Sequence, residues 1–411
     1  MVKKALVGLT AVALLAGCGS GAAKGETAAD GVKQGNGVTD SEIRVALLND
    51  FSGPIAALGN AAAVGAEVYF DTVNAAGGIC GRKVVAVRED TKYDPKVTVQ
   101  AYRAVSDDVV AITQLLGAAS INAIKADIAR DNVMTLPATQ TGSMMTLEDI
   151  FLFLPPYQIE NINGIVWAAQ NVPASGAKLK LGVVNPADAY GEEFHAAARY
   201  AVASLPNVEL VASATYTNTD EDFTAQVNKL RNAGAEAVFL NTTPKQTAGL
   251  VGQAAQFGYE PTWIGQGGTW AASLAKPLGG LTERYRVVNS VAALGEDTAG
   301  VKKLEEALAK YAADETPDNM MVTGWVTGAV TGAALAKACA NKDLTPEGVV
   351  AAMENLEVDL EGVGPKLNMG DGRSPVSRES RVNRIDPKTG GLTPITDWAA
   401  SQPATTWSLG K

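Results

Sequence analysis

From Glu42 onward, short runs rich in β-branched residues alternate with longer amphipathic segments. The first series contains the runs "IRVALLND", "KVVAVRED", "VVAITQLL" and "VMTLP". A second series follows the Pro155-Pro156 pair and contains "LKLGVVNP", "VELVASATY", "EAVFLNT" and "PTWIGQ". Strands that alternate with helices predict parallel sheets covered by helices. The chain is therefore expected to be α/β, with two doubly wound parallel-sheet lobes and a cleft between them.

The amino-terminal residues predict export and a lipid anchor. Residues 1–17 combine two lysines with the apolar run "ALVGLTAVALLA", which is shorter than the ~20 residues that a membrane span needs. The four residues "LAGC" end at Cys18 and match a lipobox, in which lipid is attached to the cysteine and the chain is cut before it. A signal peptide followed by a chance cysteine is the alternative. We expect a lipid-anchored protein on the extracytoplasmic face of the cell membrane.

Residues 18–41 contain no aromatic and almost no large aliphatic side chain, so they predict a flexible tether. The folded part then begins near Glu42 and has about 370 residues, which exceeds the size of a single core. Loss of residues 1–17 changes the formal net charge from -10 to -12, because two lysines leave with them. This acidity argues against a nucleic-acid partner.

The segment "MMVTGWVTGAVTGAALA", residues 320–336, carries no charge and is the second candidate for a membrane span. It has only 17 residues, and a threonine precedes each of Gly324, Gly328 and Gly332. Small residues at four-residue spacing form one stripe that lets a second helix approach closely. A buried helix of the first lobe is the favoured interpretation.

Patterns typical of catalysis are missing from the sequence. The single histidine, His195, lies on a predicted helix, where a solvated or capping role is expected. We find no H-E-x-x-H, no G-x-S-x-G and no phosphate-binding loop. We therefore expect no enzyme, no metal site and no cofactor.

Several stretches resemble the type I periplasmic solute-binding proteins, in particular the branched-chain amino acid (Leu/Ile/Val) binding proteins of ABC importers. The resemblance rests on "IRVALLNDFSGPIAALGNAAAVGAEVYFDTVNAAGGICGRKV", on Asp94-Pro95 and Tyr190-Gly191, and on "DFTAQVNKLRNAGAEAVF". It covers about residues 42 to 400. It implies a monomer that closes two lobes on a solute and delivers it to a membrane permease driven by an ATPase.

The resemblance also implies three chain crossings, which together form a hinge between the lobes. They are expected near Phe153–Tyr157, Val288–Ala293 and Gly362–Leu367. Lobe 1 then holds residues 42–154 and 292–363, and lobe 2 holds residues 155–291 and 364–411.

Ligand-binding residues are expected in the loops that follow the strands, where open α/β sheets bind ligands. In the family, the lobe 1 loops hold a ligand carboxylate with backbone N–H groups and hydroxyls at a helix start. Ordinary turn chemistry with an N-cap at Ser120 is the alternative. The candidates are Ser52, Gly53, Gly117, Ala118, Ala119, Ser120, Thr139, Gln140 and Thr141 in lobe 1, and Tyr190, Thr242, Gln266, Gly267 and Trp270 in lobe 2.

Gly267 departs from the pattern of the amino-acid binders, in which a carboxylate of this loop pairs with the ligand ammonium. A zwitterion without that partner loses several kcal/mol in a dry cleft. The sequence therefore favours an organic acid, an amide or an aromatic solute over a branched-chain amino acid. Asp188 or Glu283 remains as an alternative source of negative charge.

A disulfide between Cys80 and Cys339 is expected. With lipid on Cys18, two thiols remain in an exported protein, a setting in which disulfides persist. Both cysteines fall in lobe 1, and the long loop between them predicts up to ~4 to 5 kcal/mol of stabilisation. Two buried free thiols are the alternative.

Two further functions remain open. The same two-lobed module can serve as the ligand-sensing subunit of an envelope signalling system. Such a sensor reports to a separate receptor, whereas the subunit of an importer delivers its ligand to a permease. An envelope hydrolase is a remote alternative, because the sequence lacks a nucleophile and base pattern.

Overall fold

The computed structural model describes residues 27–173, 177–217 and 219–410. The predicted signal peptide and the predicted lipidation site, Cys18, lie outside these residues. The strands are β1 (Lys33–Gln34), β2 (Glu42–Asn49), β3 (Lys83–Asp90), β4 (Ala111–Leu115), β5 (Met134–Pro137), β6 (Leu179–Pro186), β7 (Val208–Tyr216), β8 (Ala237–Leu240), β9 (Thr262–Gln266), β10 (Tyr285–Asn289), β11 (Asp343–Leu344), β12 (Glu357–Val358), β13 (Leu367–Asn368), β14 (Arg381–Ile385) and β15 (Leu392–Pro394).

The longer helices follow the strands as the hydrophobic pattern predicts. They are α1 (Ala56–Ala75), α2 (Pro95–Val105), α3 (Ala118–Asp131), α4 (Tyr157–Asn171), α5 (Ala189–Ala203), α6 (Thr224–Asn232), α7 (Pro244–Gln256), α8 (Ala275–Leu278), α9 (Ala299–Tyr311), α10 (Asn319–Ala340), α11 (Pro346–Met353) and α12 (Gln402–Thr406). Short 3-10 helices cover Gly142–Thr146, Gly267–Thr269, Ala272–Leu274 and Gly279–Arg284.

Two sheets organise the molecule and confirm the predicted α/β class. The first sheet has the order β3-β2-β4-β5, with every pair parallel. The second sheet has the order β15-β14-β10-β9-β8-β6-β7 and is parallel from β10 to β7. At one edge of this sheet, β14 pairs antiparallel with both β10 and β15. In each parallel sheet the strands end at one edge, where their loops meet.

The chain passes between the two sheets three times. After β5 it runs into α4, which packs against α5 and strands of the second sheet. After β10 it returns to α9, which packs against α1, and there Ala292 N–H donates to Val363 O. After β12 and β13 pair antiparallel, the chain enters β14 of the second sheet. The exact lobe boundaries stay a prediction.

The expectation of a flexible tether is wrong for residues 27–41. Val32 and Val38 are 1% and 0% exposed and belong to the core of the first lobe. Strand β1 pairs in parallel with β11, and the Asp30 carboxylate lies 2.7 Å from the buried guanidinium of Arg82. Two valines, a short strand pair and an ion pair are therefore enough to hold a segment of mostly small and polar residues.

The glycine stripe of α10 packs against α1, which confirms the predicted buried helix. A Cβ on Gly324 would lie 2.0 Å from the carbonyl oxygen of Ala62. A Cβ on Gly65 of α1 would lie 2.0 Å from the carbonyl oxygen of Met321. The two backbones are therefore in direct contact, and side chains are sterically excluded there. Within the described residues, no helix combines the length and apolarity that a bilayer crossing requires.

The predicted disulfide joins Cys80, in the turn before β3, to Cys339, near the end of α10. The two Cα atoms are 6.2 Å apart, within the range that disulfides span. It therefore ties α10 to the loop that precedes an edge strand of the first sheet.

Candidate ligand-binding site

A cavity of about 680 Å³ lies between the loops that follow the strands of the two sheets. Pockets of ~300–1,000 Å³ bury drug-sized organic ligands. Its apolar walls come from both lobes, and they include Ile55, Leu58, Ala62, Leu116, Leu154, Met320 and Leu392. The cavity therefore suits a small organic solute with an apolar body.

Eleven of the fourteen predicted ligand-binding residues line this cavity. They are Gly117, Ala118, Ala119, Ser120, Thr139, Gln140, Tyr190, Thr242, Gln266, Gly267 and Trp270. Ser52, Gly53 and Thr141 are not among the lining residues: the Ser52 hydroxyl donates to Asp90, and Gly53 N–H donates to Asp50. Contact of any of the fourteen with a ligand stays a prediction.

In lobe 1, the wall is built around the start of α3. Gly117 precedes the helix with φ +99°, a conformation that favours glycine. Its N–H donates to the Thr139 hydroxyl at 3.1 Å, and a Cβ there would lie 2.8 Å from the ring of Tyr93. Ser120 lies inside the first turn and contacts the Thr98 hydroxyl at 2.8 Å, so it is not the N-cap of α3.

In lobe 2, the wall is an amide cluster at the ends of β8 and β9. Gln266 Nε2 donates to the Tyr190 hydroxyl at 2.7 Å and to Asn241 Oδ1 at 2.9 Å. Among the described residues, Gln266 Oε1 and Asn241 Nδ2 are buried without a hydrogen-bond partner. Because buried polar atoms are normally paired, this free acceptor and free donor are suited to a ligand.

Trp270 lies beside this cluster with a fixed orientation. Its indole Nε1 donates to Gly390 O at 2.9 Å, and its ring lies 5.5 Å from that of Tyr285. The side chain is therefore both part of the lobe 2 core and part of the cavity wall.

Several polar residues of the cavity wall were not predicted, and four of them are Asn49, Gln114, Thr327 and Glu160. Asn49 ends β2 and donates to Gln114 Oε1 at 2.5 Å. Gln114 Nε2 in turn donates to the Thr327 hydroxyl of α10 at 2.8 Å. The sequence signal for Gln114 was a single amide inside the apolar run of β4. The fourth residue, Glu160, lies in the first turn of α4.

Glu160 is a buried carboxyl group, with 3% of its surface exposed. Its Oε1 accepts a hydrogen bond from the Ser290 hydroxyl at 2.7 Å. Burial raises the pKa of Glu160 to about 8, and hydrogen bonds from Ser290 oppose the rise. Because desolvation disfavours the charged form, burial favours the protonated form of Glu160 at neutral pH.

The Glu160→Gln variant is expected to become more stable relative to wild type as pH rises. In the unfolded chain the glutamate ionises near pH 4.5, whereas the folded protein keeps the proton until about pH 8. The stability that this group supplies is complete below pH 4.5 and is lost as pH rises through 8. Glutamine does not titrate, so the variant gains about 1.4 kcal/mol per pH unit over wild type in that window. Urea unfolding at about pH 5 and about pH 7.5 measures this gain, and a constant difference contradicts it.

No lysine, arginine or histidine is found among the described residues that line the cavity. Besides Glu160, the lining carboxylates are Asp188 and Asp318, whose side chains accept from backbone N–H groups at the starts of α5 and α10. A Cβ on Gly267 would lie 3.1 Å from Asn289 Oδ1, so a longer side chain there is crowded. Glu283 is exposed and is not among the lining residues.

His195 takes part in a contact away from the cavity. Its ring nitrogens contact the Ser213 hydroxyl at 2.9 Å and the Arg199 guanidinium at 2.7 Å. Burial and the nearby Arg199 lower its pKa. Within the described part of the chain, no cluster of three or more histidine, cysteine, aspartate or glutamate side chains has metal-binding geometry.

Two parallel-sheet lobes, three connecting segments and a cavity between the loops define an extracytoplasmic solute-binding protein. A family model described as periplasmic binding protein matches residues 42–391, and the chain belongs to that family.

Relatives with known structures or names agree with this assignment. The Leu/Ile/Val-binding protein homolog 7 of Brucella melitensis biotype 1 is 26% identical over 82% of this chain and 83% of its own length. A fatty acid ABC transporter substrate-binding protein from Thermomonospora curvata is 31% identical, with a TM-score of 0.85, over 93% of this chain and 98% of that one. A branched-chain amino acid ABC transporter structure from Thermus thermophilus with bound valine is 18% identical, with a TM-score of 0.78 over 89% and 98% of the two chains. At 18% identity the likeness concerns the fold alone.

Proposed function

We propose that this protein is the lipid-anchored solute receptor of an ABC importer and that it binds an organic acid with an apolar body. Closure of the two lobes encloses the solute, and the loaded receptor delivers it to a permease and its ATPase. The observation that carries the proposal is the interlobe cavity of about 680 Å³, with apolar walls and unpaired polar groups. Pockets of this kind bind organic ligands and fix their orientation with a few polar contacts.

The helix starts around the cavity favour an anionic head group. Residues at the starts of α3 and α7 line it, among them Ala118 and Thr243, and neither of these helix starts is capped by a side chain. Helix amino ends carry partial positive charge and free N–H groups. With no basic side chain among the described lining residues, backbone groups and hydroxyls are the donors for a carboxylate.

Two considerations favour an organic acid over a branched-chain amino acid. Gly267 supplies no carboxylate for an ammonium, and the exposed Glu283 lies outside the cavity walls. Asp188 lines the cavity as the N-cap of α5, where its carboxylate accepts a hydrogen bond from Gly191 N–H at 2.9 Å. The Thermomonospora curvata relative, which is named for fatty acid transport, supports the same choice.

Thermal unfolding in the presence of octanoate and of leucine tests this ligand class. A ligand at 100 times its dissociation constant adds ~2.7 kcal/mol to the free energy of unfolding. We expect a rise in melting temperature with octanoate and none with leucine, isoleucine or valine. Glu283→Gln, which changes an exposed carboxylate, is expected to respond like wild type. A rise with the three amino acids alone would reverse the proposed preference.

The substitution Cys18→Ala is expected to block lipidation of the mature protein. Because a lipid on this thiol is the proposed anchor, the variant should leave the membrane fraction or accumulate unprocessed. Mass spectrometry of the mature amino terminus, together with membrane fractionation, measures the outcome. A wild-type protein that starts at another residue and carries no lipid contradicts the proposal.

A further inference from the structure

Glu160 occupies a place where the three connecting segments meet. It follows the first crossing, in the opening turn of α4, while Ser290 lies on the second crossing, directly after β10. The Ser290 hydroxyl lies 2.7 Å from Glu160 Oε1 and 3.3 Å from the carbonyl oxygen of Glu379, which precedes β14 on the third crossing. A ligand that contacts Glu160 is therefore connected to the hinge through Ser290.

One carboxyl oxygen of Glu160 has no partner. Oε1 accepts the short hydrogen bond from Ser290, whereas Oε2 is buried and, among the described residues, makes no hydrogen bond. When the Ser290 hydroxyl donates to Oε1, the proton of a protonated Glu160 resides on Oε2. Glu160 also lines the interlobe cavity. An unpaired buried donor beside such a cavity is costly unless a ligand accepts from it.

We propose that Glu160 is a ligand-contacting residue whose protonated Oε2 donates a hydrogen bond to the carboxylate or carbonyl head group of the bound solute. The inference rests on the proposed function and identifies the feature of the solute that is recognised. Through Ser290, the same carboxyl group links the solute to all three hinge segments. An ionised Glu160 in its place would instead select an ammonium.

Other charged and titratable groups line the cavity or lie on the elements packed against α4. Around the cavity, Asp188 and Asp318 accept from backbone N–H groups, and burial raises the pKa values of the Tyr93, Tyr157, Tyr190 and Tyr216 phenols. On the helices and strands packed against α4, the groups are Glu192, Glu193, His195, Arg199, Tyr200, Tyr285, Arg286, Arg381 and Arg384. Of these, Glu193 accepts from Gln158 and Arg381 pairs with Glu296.

The pH dependence of octanoate binding tests the inference. With a pKa of about 8, Glu160 loses its Oε2 proton above that pH. The resulting negative charge repels the carboxylate of octanoate. Calorimetry on wild type should therefore show octanoate affinity falling about tenfold per pH unit above pH 8. Glu160→Gln keeps an N–H donor, so it should bind octanoate at pH 7 within severalfold of wild type and lose that pH dependence.

Two further variants complete the comparison. Glu160→Leu removes the donor and should bind octanoate about tenfold or more weakly at pH 7, the usual effect of losing a hydrogen bond to a charged group. Glu283→Gln makes the same chemical change as Glu160→Gln at an exposed site and should keep the wild-type pH dependence. If Glu160→Leu does not fold, Glu160→Gln alone still decides the question.

Three results overturn the inference. Octanoate affinity that falls equally with pH in wild type and Glu160→Gln shows that another group titrates. The affinity of wild type for octylamine increases as pH rises through 8, while that of Glu160→Gln does not: this result shows that an ionised Glu160 binds an ammonium. Failure of octanoate, octanamide and octylamine to bind at all contradicts the proposed ligand class together with the inference.

Discussion

Removal of the Cys80–Cys339 disulfide is expected to lower the free energy of unfolding by up to ~5 kcal/mol. The bond closes a loop across 259 positions, so its loss frees a large part of the unfolded chain. It also connects the carboxyl end of α10 to the turn before β3, which holds the edge of the first sheet against its covering helix. Urea unfolding of the Cys80→Ala, Cys339→Ala double variant, followed by circular dichroism, measures the change.

Reduction provides an independent control for this prediction. Dithiothreitol should lower the urea midpoint of the wild type to that of the double variant and leave the double variant unchanged. Equal midpoints for oxidised wild type and double variant would contradict the predicted stabilisation.

The substitution Gly324→Ala is expected to destabilise the first lobe by ~3 kcal/mol or more. Overpacking a core usually costs ~1–3 kcal/mol, and the cost rises when the neighbours cannot move aside. The added Cβ would lie 2.0 Å from the Ala62 carbonyl oxygen and 3.0 Å from Gly65 Cα, both backbone atoms. Helices α1 and α10 must therefore separate. Since Thr327 of α10 binds Gln114 at the cavity wall, solute affinity should fall as well.

Gly252→Ala in α7 is the matched control. A Cβ on Gly252 meets no atom within 4 Å, and alanine in a helix interior is favoured over glycine by roughly 0.5–1 kcal/mol. The urea midpoint should therefore drop for Gly324→Ala and stay level or rise for Gly252→Ala. A Gly324→Ala protein as stable as wild type would show that the helices are not in backbone contact.

The sheets were predictable because their signal is local. Each buried strand is a short apolar run, each helix has a 3.6-residue period, and parallel strands need a connecting helix between them. The antiparallel strands β14 and β15 broke that alternation and were not predicted. Residues 27–41 were misassigned for a related reason: the few apolar side chains of this segment are fixed by β11 and Arg82, which lie far along the chain.

The cavity was only partly predictable. Loops after strands, such as Gly117 and Gln266, are identified by topology, and they do line it. The surroundings of Glu160 depend on Ser290, 130 positions away. Burial of a glutamate against a distant serine has no local pattern. Gln114 did leave a signal, since an amide inside an apolar strand must find polar partners in the core.

Native mass spectrometry of the protein purified from its own cells tests the central claim most directly. An organic acid enclosed between two lobes should remain bound through gentle ionisation and be released on denaturation. We expect the released species to be a carboxylic acid with an apolar body and no amino group. Release of leucine, isoleucine or valine as the only bound species would contradict the account.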